Sequence, residues 1–277
     1  MDYVELNIET GSAEQSEILV AELSDFAFES FVTEGERLLK GYIPQERLAD
    51  CKGEVDALLA RYGICGARYI SIETQNWNSQ WESNFERVEV GSRLLIRAPF
   101  HPSDARFARE VVIMPKMSFG TGHHATTHLM AEWTMDLNIA GKRGLDMGSG
   151  TGVLAIVAAL EGAESVDAVD IDEWAYENCC ENIAVNGVEG CVESLLGDSS
   201  VVADRSYDFI LANINRNILL GELPRYGRML TSGGDLLISG FLEQDIDVLV
   251  AQGEAEGFAF VERRLRDGWV AMRFVRG

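Results

Sequence analysis

No run of apolar residues in this chain is longer than eight, Val153 to Leu160, whereas crossing a bilayer takes about 20. The opening residues, Met1-Asp2-Tyr3-Val4-Glu5, carry no basic, apolar signal segment, so a cytoplasmic protein with no membrane partner is expected. Cysteine is scarce: there are five, an odd number with no CxxC pair. That excludes a disulfide framework and a zinc ribbon and fits a reducing compartment. Glycine and proline, 27 and 5 of 277 residues, stay near ordinary globular usage, and repeats and low-complexity tracts are lacking. Disorder, collagen and coiled coil are thereby excluded. Positive charge is missing over a long stretch. Between Arg143 and Arg205 there is no Lys or Arg, against thirteen Asp and Glu, and the whole chain carries a net charge of −22. Such a surface repels phosphate backbones and anionic lipid, so direct nucleic-acid binding is not expected and a basic partner is favoured. What the chain does have is length for about two domains, with 47% hydrophobic residues to bury at least one full core.

Residues 1–75 read as a small βαββαβ unit. Tyr3 to Ile8 alternates as a half-buried strand, Gly11-Ser12 breaks it and caps a helix over Ala13 to Leu23, and short strands follow near Phe26 to Thr33 and Leu38 to Ile43. Pro44 suits a first helical turn, Leu48, Val55, Leu58 and Leu59 form the apolar stripe of a helix ending at Gly63, and Ala67 to Glu73 closes the unit. This order suggests a ferredoxin-like α+β domain, a fold that by itself names no function. Residues 76–87 read as a linker in which Trp77, Trp81 and Phe85, four apart, line one helical face. Residues 88–277 form the larger domain. After a strand-like stretch from Val88 to Pro115, strands at Gly144 to Met147, Val166 to Ile171, Val192 to Leu196, Tyr207 to Ile214 and Asp235 to Ser239 alternate with helices. That alternation predicts a doubly wound, mostly parallel sheet. Asp267-Gly268 between Phe258 to Arg266 and Trp269 to Arg276 predicts a terminal antiparallel hairpin.

Asp146-Met147-Gly148-Ser149-Gly150-Thr151-Gly152 joins the first strand of this sheet to its first helix. Glycines allow close approach of a ligand, and the helix start beyond them is expected to offer free N–H groups. Asp170, 22 residues after Gly148, closes the next strand, where a carboxylate can accept hydrogen bonds from both ribose hydroxyls. A dinucleotide fingerprint would need glycine at position 153, where Val153 stands, and no GxxxxGK[ST] is present. The spacing GxGxG after an Asp, with the reversed final hairpin, is instead the pattern of S-adenosylmethionine (SAM) enzymes.

Two further segments are specific. Ser118-Phe119-Gly120-Thr121-Gly122-His123-His124-Ala125-Thr126-Thr127 precedes the sheet, and Leu211-Ala212-Asn213-Ile214 ends its fourth strand. With the glycine loop they make the chain resemble, over nearly its whole length, the PrmA family, methyltransferases of large-subunit ribosomal protein eleven. The resemblance implies a class I SAM-dependent methyltransferase fold, a protein N-methyltransferase using SAM as methyl donor, and a basic ribosomal protein as substrate, methylated on lysine side chains, the N-terminal amine or both. It implies that the small N-terminal domain recognises that substrate. Cofactor binding is expected at Phe119, Gly120, Thr121, Thr127, Gly148, Gly150, Asp170 and Asn213. Catalysis is assigned to Asn213 and Ile214: by resemblance to amino-methylating enzymes with an Asn-Pro-Pro motif, the Asn213 side-chain oxygen and a neighbouring carbonyl accept the hydrogens of the substrate amine.

Several residues have plainer readings. His124 and His128 have a zinc-compatible spacing, but neither HExxH nor a third-ligand pattern accompanies them and His123, so no metal is expected. Cys179-Cys180 are read as packing residues on a helix. Asp198 stands where SAM enzymes often hold adenine, though a turn aspartate is common. Two rival functions remain at this level, a PrmA-like lysine methyltransferase of another protein and a SAM- or nucleotide-binding regulator without turnover.

Overall fold

The computed structural model describes residues 3–35, 37–64, 66–72, 85–116 and 118–277. The chain divides into two compact units, Met1–Asn84 and Phe85–Gly277. Trp77 and Trp81 lie outside the described residues; Phe85 opens the second unit, its ring 4.9 Å from that of His123 and edge-on to it.

The first unit runs β1 (Tyr3–Glu9), α1 (Ala13–Leu23), β2 (Ser30–Glu34), β3 (Leu38–Pro44), α2 (Gln45–Arg61) and β4 (Arg68–Ile72). Its four strands form one antiparallel sheet in the order β2-β3-β1-β4. Ser12 caps α1, its side chain accepting the Gln15 N–H. Leu6 and Ile8 of β1, Leu19 and Leu23 of α1, and Val55, Leu58 and Leu59 of α2 make the core. The strand expected from Phe26 starts only at Ser30, because the rings of Phe28 and Phe31 fold over the space left by Gly41 on β3, where a Cβ would meet them at 2.9–3.0 Å.

The second unit begins with β5 (Val88–Val90), β6 (Leu94–Arg97) and β7 (Arg109–Val112), a three-stranded sheet with β6 in the centre. It continues through α3 (Ala125–Asp136), β8 (Arg143–Met147), α4 (Val153–Leu160), β9 (Ser165–Asp170), α5 (Glu173–Asn186), β10 (Val192–Leu196), β11 (Tyr207–Asn213), α6 (Arg216–Met229), β12 (Leu230–Leu242), α7 (Ile246–Ala255), β13 (Phe258–Arg266) and β14 (Trp269–Arg276). The seven-stranded sheet has the order β10-β9-β8-β11-β12-β14-β13, with β10 to β12 parallel and β14 antiparallel to both neighbours. The last strand therefore inserts beside β12 rather than ending the sheet. Asp267 and Gly268, with φ of 51° and 79°, make the tight turn that aims it there.

Strand β11 shows how the sheet is buried on both faces. Phe209 and Leu211 join the cluster that contains Leu154 and Val157 of α4 and Trp133 of α3, while Ile210 and Ala212 join Leu219, Leu223 and Tyr226 of α6. Alternate residues of a strand point to opposite faces, so an apolar run is what two helical layers demand.

The edge of β7 is covered in an unusual way. Asn178, Asn182 and Asn186 recur every four residues on α5 and so share one face. Asn186 accepts the Val112 N–H at 2.8 Å and donates to the Val112 carbonyl at 2.7 Å. Asn182 accepts the Met114 N–H at 2.8 Å, and Asn178 donates to the Met114 carbonyl at 3.2 Å. Side-chain amides thus take the place of a neighbouring strand. Asn182 also donates to the Thr151 carbonyl at 2.8 Å, tying the same helix to the glycine loop.

Candidate active site

The chain runs from β8 outward to β9 and β10, then crosses back to β11 on the other side of β8. At such a reversal the two connections diverge and leave a crevice at the carboxyl ends of the strands. The glycine loop, Asp170 and Asn213 all stand at that end, after β8, at the end of β9 and at the end of β11.

The loop between β8 and α4 is shaped by positive φ, 74° at Gly148 and 55° at Gly150, which side chains with a Cβ rarely adopt. Space is as restrictive: a Cβ on Gly148 would lie 2.2 Å from Cγ2 of Ile214, and one on Gly150 would lie 2.2 Å from the Phe119 carbonyl oxygen. The N–H groups of the loop itself are already engaged. The N–H groups of Gly148 and Ser149 donate to the Val169 carbonyl, Gly150 to Asp170 Oδ2, Thr151 to the Phe119 carbonyl and Gly152 to the Ser149 carbonyl. Farther in, Ala155 N–H donates to Asp146 Oδ2. The loop therefore makes a shape rather than an anion hole, which suits a ligand without phosphate. Asp146 is 1% exposed, and burial, reinforced by the charge of Asp170 and opposed by the Ala155 hydrogen bond, pushes its carboxyl up to about 7. Cys179 packs under Gly152, and burial pushes its thiol up to about 12; its partner Cys180 is exposed.

The segment before α3 folds over this loop. Thr151 donates from its hydroxyl to the Gly120 carbonyl at 2.7 Å as its N–H reaches Phe119 at 2.9 Å. The Thr121 hydroxyl pairs with His123 Nδ1 instead of facing a cleft, and His123 Nε2 lies 2.8 Å from the Glu86 carbonyl. His124 caps α3, its Nδ1 accepting the Thr126 N–H. A neutral ring that accepts at Nδ1 carries its proton on Nε2. No group of three or more His, Cys, Asp or Glu among the described residues could hold a metal ion.

Two clefts meet at one wall. The larger, about 280 Å³, is lined by Phe119, Gly148, Gly150, Asp170, Asn213 and Ile214 among others and continues past Ile171 to Asp198, Ser199, Ile218 and Glu222. The smaller, about 260 Å³, is lined by Phe119, His124, Thr126, Asn213, Ile214 and Trp269 among others. Asn213 and Ile214 therefore separate them, with Phe119 at their common edge. Asn213 Nδ2 stands 3.5 Å from the hydroxyl of Thr127, which is fully buried on α3 behind it. Asn213 Oδ1 is buried and has no hydrogen-bond partner among the described residues. Asp170 holds the Gly150 and Asp172 N–H groups at 2.8 and 3.0 Å, and a carboxylate has acceptor capacity beyond two bonds.

Trp269 did not stand out in the sequence. Its ring meets that of His124 edge-on at 4.6 Å, and the Phe119 ring lies 5.3 Å from the same His124 ring. The Asp267-Gly268 turn was the available signal, since the residue after a tight turn is the first of a strand whose place in the sheet decides what it faces. Glu222 was missed too, hidden in the polar pattern of α6.

Residues 7–277 match the family described as ribosomal protein L11 methyltransferase (PrmA). A ribosomal protein L11 methyltransferase of Porphyromonas gingivalis is 44% identical over 276 residues, 98% of this chain and 92% of that protein. One from Phocaeicola vulgatus is 36% identical over 283 residues, 99% of each. A crystal structure of the ribosomal protein L11 methylase of Lactobacillus delbrueckii subsp. bulgaricus superposes with a TM-score of 0.63 at 24% identity, covering 69% of this chain and 99% of that one, and so shares the fold. The glycine loop, the acidic end of β9 and the orphaned amide at the end of β11 fit SAM as ligand, and the chain belongs to the ribosomal protein L11 methyltransferase (PrmA) family of SAM-dependent protein methyltransferases.

Proposed function

We propose that this chain methylates amino groups of ribosomal protein L11, with SAM in the larger cleft and the amine entering through the smaller. The observation that carries this reading is the buried, unpartnered Oδ1 of Asn213 on the wall between the clefts. A buried acceptor without a donor costs about 1–3 kcal/mol, and an amine N–H arriving from the smaller cleft removes that cost. SAM, when bound, supplies a methyl group already activated on a sulfonium centre. The protein's part is placement: Asp170 holds the ribose hydroxyls, the glycine loop sets the depth of the cofactor, Thr127 steadies the Asn213 amide, and Asn213 turns the amine lone pair toward the methyl. Orientation of this kind is worth up to about 7–11 kcal/mol.

The amine must be neutral to react. At pH 7 this costs about 4.6 kcal/mol for an ordinary lysine and about 1 kcal/mol for an α-amino group. Among the described residues that line the smaller cleft, His124 is the one titratable side chain, and its Nδ1 already accepts the Thr126 N–H. The proton accordingly leaves to water before the amine is captured, and the amide oxygen of Asn213 receives the N–H of the neutral form.

We assign substrate recruitment to residues 1–75. The support is a unit with its own core in a chain of net charge −22, which draws a basic partner. The deciding experiment uses labelled SAM with ribosomal proteins from a strain lacking the enzyme, followed by mass spectrometry. Label on L11 amines supports the reading; label on another protein instead identifies a PrmA-like enzyme of different specificity, and no label on any protein leaves a SAM-binding regulator.

A further inference from the structure

We propose that Glu222 reads the exocyclic amino group of adenine and so sets the nucleobase specificity of the larger cleft. This rests on the reading above, in which that cleft holds SAM with its ribose at Asp170. Ribose is the middle of the cofactor. With the amino acid end toward Gly148 and Asn213, the base takes the opposite lobe, formed by Ile171, Asp198, Ser199, Ile218 and Glu222. Ile171 and Ile218 are 73% and 46% exposed and offer apolar surface to the flat faces of a purine.

The purine edge needs a polar partner. Asp198 Oδ1 accepts both the N–H and the hydroxyl of Ser200, and as an exposed residue it meets its remaining acceptor capacity with water. Arg225 Nη1 donates to Ser199 Oγ at 2.8 Å and to Glu222 Oε1 at 2.7 Å. Glu222 Oε2 is buried and has no partner among the described residues. A desolvated carboxylate oxygen lacking a donor is destabilising, and an N–H delivered by the ligand is favourable by the same margin. The amino group of adenine is such a donor, whereas the carbonyl of hypoxanthine at the same place would face a negative charge with no proton between them. A site built around one hydrogen bond of this kind rejects the analogue that lacks it.

The competing explanation is internal. The Tyr226 hydroxyl, one helical turn on, is also buried without a partner among the described residues, and pairing of Glu222 with it would leave the base unread. Titration calorimetry on the full chain with S-adenosylhomocysteine and S-inosylhomocysteine separates the two. The wild type is expected to bind the adenosyl compound tighter by about tenfold or more. In Glu222→Gln the acceptor oxygen stays with Arg225, so the amide nitrogen takes the place of Oε2 and donates toward the base. The preference should then fall by about tenfold, with the inosyl compound binding better than it does to the wild type. Equal binding of the two compounds by the wild type overturns the proposal with no variant needed, as does an unchanged preference in folded Glu222→Gln. Asp170→Ala tests the underlying reading separately: if it binds S-adenosylhomocysteine as the wild type does, the ribose is not at Asp170, whatever Glu222 does.

Discussion

The larger cleft is made from backbone turns and strand ends, with its acidic groups Asp170, Asp198 and Glu222 set along one path, whereas the smaller is closed by the rings of Phe119, His124 and Trp269, with no carboxylate among the described residues that line it. One is shaped to recognise a particular polar molecule by its edges. The other presents π faces and the amides of Asn213 and Asn215, which suits the aliphatic stem of an amine. The difference teaches that, with SAM and amine placed as proposed, specificity for the donor and tolerance for the acceptor are kept apart by a two-residue wall, Asn213-Ile214.

Three substitutions test how complete that separation is. Asn213→Ala is expected to have the largest effect, slowing single-turnover methyl transfer at saturating SAM by roughly a hundred- to a thousandfold. A near-normal rate at saturation would remove Asn213 from the reaction and reduce the wall to a partition. Asp170→Ala should weaken SAM binding by about 1.5–3 kcal/mol and leave the apparent affinity for the protein acceptor unchanged once SAM saturates. Calorimetry showing unaltered SAM affinity in a folded variant contradicts it. Trp269→Leu should act on the other side only, raising the acceptor KM by an amount corresponding to about 0.5–1 kcal/mol with SAM affinity preserved; a change in SAM affinity would mean that the clefts are not independent.

A further expected change is read on stability rather than on rate. Asp146 has its carboxyl raised to about 7 in the folded protein, above the ordinary value of about 3.9. The native state thus binds an extra proton between these values, so the stability contributed by the neutral carboxyl is present below about pH 4 and is lost as pH rises through 7. Asp146→Asn keeps an acceptor for Ala155 N–H and removes the titration. Denaturant midpoints measured from pH 5 to 8 should fall in the wild type relative to this variant, by less than about 1.4 kcal/mol per pH unit. Parallel curves would show that Asp146 stays ionised in the fold.

What could be read in advance follows from which features are local. The glycine loop is legible because a Cβ on Gly148 or Gly150 would fall 2.2 Å from another atom, so only glycine fits and the requirement is written at that position. The alternation of strands and helices is legible because burial on both faces forces apolar runs. Trp269 was not legible, since only the insertion of β14 beside β12 brings it to His124. Glu222 was not, since its polarity fits an exposed helix as well as a cleft. The short strand at Ser30 was misplaced because aromatic residues favour strands, while Phe28 is needed to fill the gap at Gly41.

The amides of Asn178, Asn182 and Asn186 have a consequence outside the chemistry. A three-stranded sheet with β7 at its rim would ordinarily leave a row of unsatisfied backbone groups, a template on which a second molecule can add a strand. Here the rim is occupied from within by a helix, at Val112 and Met114. The pairing also works as a ratchet tooth. A slip of α5 by one residue would carry all three amides away from the rim together and expose it, so the register of that helix guards the molecule against sticking to its own copies.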